Sequence, residues 1–251
     1  MKIGLFTYVH LDESELLDFN LLDHYIRYYI KQGVLPIDIN ILPYGYDKFK
    51  YNYDLYKSIC TYYDVPIYSI ENYHYDFVYA HNKFLDWQKT IGIKYDWLIK
   101  TDLDEFMSYG CYTLVEYVYF LSKNKYDWAA GHLIDCIDVN HKLKPVDKST
   151  DIFLQFPKKM LLTQKIIKGC SHKVVAFKSK CTVNIGHHYC IDQNVLVHYK
   201  TSNMVNHFKW LSNMSDRIIM NKTRKMYENH TWAIGEIDRT QSIISQDKLI
   251  L

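Results

Sequence analysis

Three acidic residues follow an apolar run in the stretch YDWLIKTDLDEFMS, residues 95–108. The run WLI at 97–99 is followed by Asp102, Asp104 and Glu105. In extended backbone, residues two apart point to the same side, so the carboxylates of Asp102 and Asp104 converge. Converging carboxylates repel each other unless a cation lies between them, and hard oxygen ligands suit Mg²⁺ or Mn²⁺. Because these ions keep coordination places for substrate phosphates, the spacing favours diphosphate chemistry with Asp102 and Asp104 as metal ligands.

The elements that must position these carboxylates alternate between strand and helix patterns. This alternation predicts an α/β fold with a mixed, mostly parallel sheet flanked by helices. Ligands of such sheets bind beyond the carboxyl ends of the strands, where the acidic stretch is expected. The predicted strands are 2–9, 37–42, 65–70, 96–102 and 127–133, and the predicted helices are 14–32, 47–63, 77–91 and 112–123.

The second half of the chain has a less regular pattern. Strands are predicted at 173–179 and 194–200, and a helix at 203–230. With no internal repeat, low-complexity segment or linker, residues 1–251 are predicted to form one domain. Residues from about 140 onward are expected to form its C-terminal lobe.

Composition restricts the classes of protein to which the chain can belong. The formal net charge is +2 over 251 residues, without the basic surplus typical of a nucleic-acid-binding protein. No segment reaches the roughly 18 apolar residues expected of a transmembrane span. The first apolar run is too short for a signal peptide, and the six cysteines show no tight pairing pattern, as expected for reduced thiols. These features predict a cytoplasmic protein.

Several stretches together resemble GT-A-fold glycosyltransferases of the family 2 and family 92 type. The resemblance extends over roughly residues 1–225, and the chain departs from it at YVHLDESE, 8–15, where those proteins have Asn-Glu. The resembling stretches are LLDHYIRYYIKQGVLPIDINIL (21–42), YDWLIKTDLDEFMS (95–108), WAAGHLID (128–135), NVLVHYKTS (194–202) and NHFKW (206–210).

The resemblance implies a GT-A, Rossmann-like fold and transfer of a hexose from a nucleotide diphosphate sugar. The donor is expected to be a UDP- or GDP-sugar, the acceptor a glycan or glycoprotein, and the cofactor Mn²⁺ or Mg²⁺. Residues 1–139 would form the nucleotide-sugar-binding half and residues 140–251 the acceptor-side lobe. A divalent ion would neutralise the negative charge that develops on the leaving diphosphate.

The resemblance also implies the metal ligands. Asp104 is expected to bind the metal directly, and Asp102 to contact the ribose or a metal-bound water. A C-terminal histidine completes the metal shell in many GT-A enzymes. His207, in NHFKW, is the first choice for it and His198, in LVHYK, the second.

Further residues are expected to contact the donor. Lys209 or Lys200 would contact its phosphates as a point charge. Thr7 and Tyr8, at the end of the first strand, would contact the base of the nucleotide. Trp210 and Trp232 are candidates for the floor of a sugar subsite.

An inverting transfer needs a general base that takes the proton of the acceptor hydroxyl. Asp135 follows the strand WAAGHLI, where the family carries its acidic residue, and is the first choice as the catalytic base. Asp138 and Asp192 are the alternatives, and a retaining reaction would need no such base.

Other interpretations remain open at this point. A structural zinc site could use Cys170, His172, Cys181, His187 and Cys190, although their spacing is loose for zinc. A haloacid dehalogenase-like phosphatase also carries Asp-x-Asp after a buried strand, and a nucleotidyltransferase has a similar sheet. A carbohydrate-binding or inactive glycosyltransferase relative is the non-enzyme alternative.

Overall fold

The computed structural model describes residues 1–11, 19–45, 50–73, 76–192, 194–223, 231–245 and 248–250. The strands are β1 (Ile3–His10), β2 (Ile39–Tyr44), β3 (Trp97–Lys100), β4 (Glu105–Tyr109), β5 (Trp128–Ile137), β6 (Lys158–Met160), β7 (His172–Lys178), β8 (Val197–His207), β9 (Ile244–Ser245) and β10 (Lys248–Leu249). The helices are α1 (Phe19–Lys31), α2 (Lys50–Tyr62), α3 (Phe77–Thr90), α4 (Leu114–Lys123), α5 (Ile152–Gln155), α6 (Met214–Thr223) and α7 (Thr231–Ser242).

The main sheet has the order β2-β1-β3-β7-β5-β8-β4, with β6 added at the end of β5. β1, β2, β3, β5 and β8 run in one direction, and β4, β6 and β7 run against them. The sheet is therefore mixed and mostly parallel, as predicted. β7 and β8 lie beyond residue 139 but pair with β3 and β5, so the second half of the chain completes the sheet of the first.

Helices cover both faces of the sheet, which confirms the α/β, Rossmann-like class. Successive residues of the buried strands point to opposite faces of the sheet, where they pack into two apolar clusters. Leu5 lies in the larger cluster and Phe6 in the second one. The larger cluster contains the apolar sides of α1, α2 and α4, and the second contains Phe84 and Trp87 of α3. β1 (IGLFTYVH) and β3 (WLIK) are mostly apolar, as expected of strands that are covered on both sides.

Two predicted elements were wrong. Residues 65–70 form no strand, because Pro66 cannot donate a backbone hydrogen bond to a neighbour. The chain meets β2 at an isolated bridge between Tyr44 and Glu71, and the Tyr68 hydroxyl donates to Oδ1 of Asn40 in β2. Residues 203–207, predicted as the start of a helix, continue β8 between β4 and β5. Pairing on both sides of a strand overrides the helical spacing of its side chains.

A third apolar cluster packs residues between 137 and 249, and we call the part of the chain around it the C-terminal lobe. Trp210, Met214 and Ile218 of the segment after β8 pack there with Ile137 at the end of β5. The segment after the sheet is thereby held over the carboxyl ends of the strands. Among the described residues, no helix has the length and apolar character that crossing a bilayer requires.

Candidate active site at the carboxyl end of the sheet

A cleft of about 480 Å³ lies where the carboxyl ends of the parallel strands meet the C-terminal lobe. β1, β2 and β3 lead into one side of it, and α6 and α7 form the other. Its polar lining includes Asp102, Asp104, Lys173, His207 and Lys209, so much of the acidic stretch predicted from the sequence faces this cleft.

A tight turn and two strand registers assemble the centre of the site. The backbone N–H of Glu105 donates to the carbonyl of Asp102 at 3.1 Å, which turns the chain from β3 into β4. β4 places Glu105 opposite His207 of β8, and β5 places Asp135 opposite the same residue from the other side. His207 therefore lies between carboxylates that are far apart in the sequence.

The imidazole of His207 is shared between Asp135 and Asp104. Its Nδ1 lies 3.1 Å from Oδ1 of Asp135, and its Nε2 lies 3.8 Å from Oδ2 of Asp104. Burial opposes protonation of the ring, but Asp104 and Asp135 outweigh it and raise the pKa of His207. Asp135 thus holds the ring through Nδ1, while Nε2 faces the cleft beside Asp104.

Asp135, predicted as the general base, is fully buried. Its Oδ2 accepts from the Thr163 N–H at 2.7 Å, and its Oδ1 accepts from the Thr163 hydroxyl at 2.7 Å and from Trp210 Nε1 at 2.9 Å. With His207 as a further partner, the carboxylate faces the protein interior and is not among the groups that line the cleft.

Asp102 and Glu105 share a buried lysine, Lys173, which was not predicted as a site residue. Nζ of Lys173 lies 2.8 Å from Oε1 of Glu105 and 3.1 Å from Oδ2 of Asp102. Oε2 of Glu105 lies 3.1 Å from Nε2 of His187 and accepts the backbone N–H of Asp102 at 3.0 Å. Glu105 therefore ties together the turn, β7 and the loop that carries His187.

The charges in this group depend on one another. Glu105 is buried and Asp102 is partly desolvated, which disfavours ionisation of both, but the Lys173 ammonium outweighs this effect and lowers the pKa of both carboxyl groups. Burial also opposes the charge of Lys173, and Asp102 and Glu105 overcome it and raise its pKa. Burial and the neighbouring Lys173 lower the pKa of His187 to about 4, so its ring is neutral near pH 7.

A compact loop delivers His187 to this group. Gly186 and His187 both have positive φ, +79° and +47°. Oδ1 of Asn184 accepts the N–H groups of His188 and Tyr189 at 2.7 and 2.9 Å, and the carbonyl of His187 accepts the N–H of Val174 at 2.8 Å. Asparagine side chains commonly hold such turns by bonding to nearby backbone, but the sequence alone does not show which strand the loop meets.

Lys100 is a second buried lysine that sequence reasoning missed. It ends the fully buried strand WLIK, and its Nζ lies 4.6 Å from the centre of the Phe84 ring and 3.4 Å from Nδ1 of His81. Burial lowers its pKa to about 8. A lysine inside an otherwise apolar strand was the available signal, since lysine is rarely buried unless paired.

The two residues predicted to contact the nucleotide base differ in position. Tyr8 lines the cleft and donates its hydroxyl to the carbonyl of Ala80 at 2.5 Å. Thr7 is fully buried and is not among the residues that line the cleft. His10 and Tyr44, at the ends of β1 and β2, were not predicted; their rings lie 5.1 Å apart at 30° and both line the cleft.

Lys209 lines the cleft, as does Arg217 of α6, whose Nη1 lies 3.5 Å from Oδ2 of Asp104. Burial and the nearby Arg217 lower the pKa of Lys209. Two cationic side chains thus stand beside Asp104 on the C-terminal side of the cleft. Only Lys209 was expected there from the sequence.

The remaining predicted residues lie elsewhere or outside the described part of the chain. Trp210 is fully buried against Asp135 and does not line the cleft. Asp138 holds a loop by accepting from the N–H of Asn140 and from Lys144, and Asp192 accepts from the N–H of Thr182. The side chains of His198, Lys200 and Trp232 are outside the described residues.

The donor atoms at the cleft fit a divalent metal ion on the side of Asp104 and His207. Because Nδ1 of His207 is held by Asp135, Nε2 remains for the cleft, and a carboxylate behind a metal-ligating histidine is a common arrangement. Asp104 supplies the hard oxygen that Mn²⁺ or Mg²⁺ prefers.

A different set of possible metal ligands lies closer together. In the part of the chain that the structure describes, one set of three or more such residues has donor atoms within 4.8 Å of one another: Asp102, Glu105 and His187. The alternative zinc set is not assembled there, because His187 faces Glu105 while Cys181 and Cys190 pack in the second core cluster. The cysteines are free.

Comparison with known proteins gives little guidance. No protein-family model matches the chain, and no curated protein matches it. Among solved structures, the chain is similar to the 4-diphosphocytidyl-2C-methyl-D-erythritol synthase from Anaerococcus prevotii DSM 20548. The two are 10% identical with a TM-score of 0.40, over 88% of this chain and 98% of that chain. This likeness is weak.

Proposed function

We propose that this protein is a metal-dependent glycosyltransferase that moves a hexose from a UDP- or GDP-sugar to a glycan or glycoprotein acceptor. The observation that carries the proposal is the meeting of Asp104 with His207 at the cleft, backed by the buried Asp135. In this proposal the chemistry is that of a diphosphate leaving group, and Mn²⁺ or Mg²⁺ held by Asp104 and His207 would supply charge stabilisation to it.

Different residues around the cleft would bind different parts of the nucleotide-sugar donor. The rings of Tyr8, His10 and Tyr44 offer aromatic faces for the nucleobase at the ends of β1 and β2. Lys209 and Arg217 offer positive charge to the diphosphate from the opposite side of the cleft. The side chain of Asp102 is 47% exposed. The carboxylate oxygen that does not contact Lys173 can accept a hydrogen bond from a hydroxyl group or a water molecule.

We assign Asp135 a positioning role through His207 in place of the role of general base. A base must reach the acceptor hydroxyl, and the carboxylate of Asp135 is buried behind the imidazole. The transfer breaks the bond between the anomeric carbon and the diphosphate oxygen, and the acceptor oxygen forms the new bond and loses its proton. The stereochemical course and the proton acceptor are left unassigned.

The test combines thermal unfolding with a panel of nucleotides. With Mn²⁺ and either UDP or GDP, the melting temperature should rise on the order of 5 °C at ligand concentrations about 100-fold above Kd, and either component alone should do little. Asp104→Asn and His207→Gln should abolish the joint shift, whereas Asp216→Asn, an exposed carboxylate on α6, should keep it.

A second measurement separates the alternatives. Release of UDP or GDP from a panel of nucleotide sugars, with water as a slow acceptor, should depend on Mn²⁺ and on Asp104. Release of pyrophosphate from a nucleoside triphosphate would indicate a nucleotidyltransferase instead, and hydrolysis of a phosphate monoester would indicate a phosphatase. No shift with any nucleotide would favour the non-enzyme alternative and overturn the proposal.

A further inference from the structure

Lys173 lies at the centre of Asp102, Glu105 and His187, whose possible ligand atoms are spaced as in a metal site. Its ammonium lies 2.8 Å from Glu105 Oε1, 3.1 Å from Asp102 Oδ2 and 3.4 Å from His187 Nε2. These contacts reach all three residues whose donor atoms lie within 4.8 Å of one another. A lysine ammonium has three N–H donors and no acceptor; the carboxylates of Glu105 and Asp102 accept from it, and Nε2 of His187 accepts only in the tautomer that carries its proton on Nδ1.

The group needs a cation, and Lys173 supplies it from within the chain. Glu105 and His187 are each only 1% exposed and Lys173 is 8% exposed. A buried carboxylate without a compensating charge is strongly unfavourable. The Lys173 ammonium lies within 3.1 Å of both carboxylates, and Asp102 is the member of the pair whose side chain opens to the cleft.

We propose that Lys173 is an internal cation that closes the group of Asp102, Glu105 and His187 to divalent metal ions. Asp102 then has one carboxylate oxygen engaged by the lysine and presents the other to the cleft. A divalent ion entering the group would have to displace the ammonium and face its like charge at close range. The placement of the metal rests on the proposed function: Asp104 and His207 would bind the metal ion, and Asp102 would provide at most one oxygen ligand to it.

The inference is tested with Mn²⁺ alone, by electron paramagnetic resonance of the free ion and by thermal unfolding, on the full chain without nucleotide. Lys173→Met removes the charge but keeps much of the side-chain length. It should tighten Mn²⁺ binding by about 10-fold or more, because the repulsion is removed while the three donors remain. Lys173→Arg should show no gain. Lys178→Met, on the same strand but paired with Asp127, is the matched control and should bind Mn²⁺ as the unaltered protein does.

The gain must come from the group itself. In the double variant Lys173→Met with Glu105→Gln, the tightening should disappear. Unchanged or weaker Mn²⁺ binding in Lys173→Met, or a gain that survives Glu105→Gln, would overturn the inference.

A further variant keeps the inference testable if Lys173→Met does not fold. In the protein with Lys173 intact, His187→Gln should change Mn²⁺ affinity by less than about 2-fold, since the group holds no metal, and a loss of about 10-fold would overturn the inference. Failure of the proposed function is separate from these results, because it would appear as the absence of any joint shift by Mn²⁺ and nucleotide in the unaltered protein.

Discussion

The imidazole of His207 lies 3.1 Å from the carboxylate of Asp135, with its Nδ1 facing Oδ1 of a side chain that is completely buried. The contact joins β8 to the neighbouring parallel strand β5, whose register places the two residues opposite each other. It fixes which nitrogen of the ring faces the cleft, because the inner one is engaged by Asp135. The orientation of the histidine is therefore set by the sheet and not by a loop.

Asp135→Asn tests this orientation. The amide keeps the shape but presents an NH₂ group to a site where the carboxylate accepts four hydrogen bonds, so buried donors lose their acceptor. We expect a stability loss of about 1–3 kcal/mol, and Mn²⁺ binding in the presence of nucleotide weaker by about 10–100-fold. Urea unfolding and Mn²⁺ titration measure the two effects.

Asp138→Asn is the matched control for this substitution. Asp138 lies at the end of the same strand region, is 5% exposed, and also accepts backbone N–H groups, but it does not contact His207. It should lose stability without losing Mn²⁺ affinity. If Asp135→Asn bound Mn²⁺ as tightly as the unaltered protein, the positioning role would be wrong.

Two buried histidines predict a loss of stability in mildly acidic solution. Burial and nearby lysines lower the pKa of His81 and His187 from 6.5 to about 4; Lys100 faces His81, and Lys173, Glu105 and Asp102 face His187. The unfolded chain binds these protons at higher pH than the folded one. Stability should therefore fall as the pH falls from 6.5 to about 4, by on the order of 3 kcal/mol for the two rings together, since each charged ring disfavours the charging of the other.

Other groups titrate differently in this window. His207 has a raised pKa, so its contribution is fully present below 6.5 and is lost as the pH rises through its folded value. Asp127 and Asp138 have lowered pKa values, and their contributions are lost only as the pH falls below 3.8. Urea unfolding in half-unit pH steps measures the slope, and His81→Gln should flatten part of it; an unchanged slope in that variant would contradict the assignment.

Much of the sheet could be predicted from the sequence because strand and helix patterns are local. The acidic stretch was found for the same reason, since Asp102 and Asp104 directly follow a buried strand. The contact between His207 and Asp135 spans 72 residues and depends on strand register, which no local pattern carries. Lys173 was missed because its strand KVVAFKS resembles an ordinary half-exposed strand, with nothing to indicate that its first lysine faces Glu105.

Gly131 is required by the close approach of β8 to β5. A Cβ atom at this position would lie 2.8 Å from Cγ1 of Val175 and 3.1 Å from the backbone carbonyl of Asn203, which cannot move without disturbing the sheet. We expect Gly131→Ala to destabilise the protein by about 1–3 kcal/mol in urea unfolding. Gly235→Ala in α7 is the control: there the nearest atoms belong to the guanidinium of Arg239, whose Nε donates to the Ile167 carbonyl, and a small shift of this side chain should keep the change in stability below about 1 kcal/mol. Equal effects of the two substitutions would contradict the packing argument.

Substitution of Arg217 tests whether the cleft binds the diphosphate of a nucleotide specifically or binds anions in general. Its guanidinium lies 3.5 Å from Asp104 Oδ2 and faces the cleft beside Lys209, so we expect it to contact the diphosphate of a bound nucleotide. Charge-assisted hydrogen bonds contribute about 1.5–3 kcal/mol, so Arg217→Ala should weaken UDP or GDP binding by about 10-fold or more and UMP or GMP binding much less.

Lys222→Ala, on the same helix but paired with Asp238 and 43% exposed, should leave both affinities unchanged. Isothermal titration in the presence of Mn²⁺ measures them. Equal losses for monophosphate and diphosphate would show that Arg217 does not contact the outer phosphate, and the placement of the diphosphate between Asp104 and the C-terminal lobe would then be wrong.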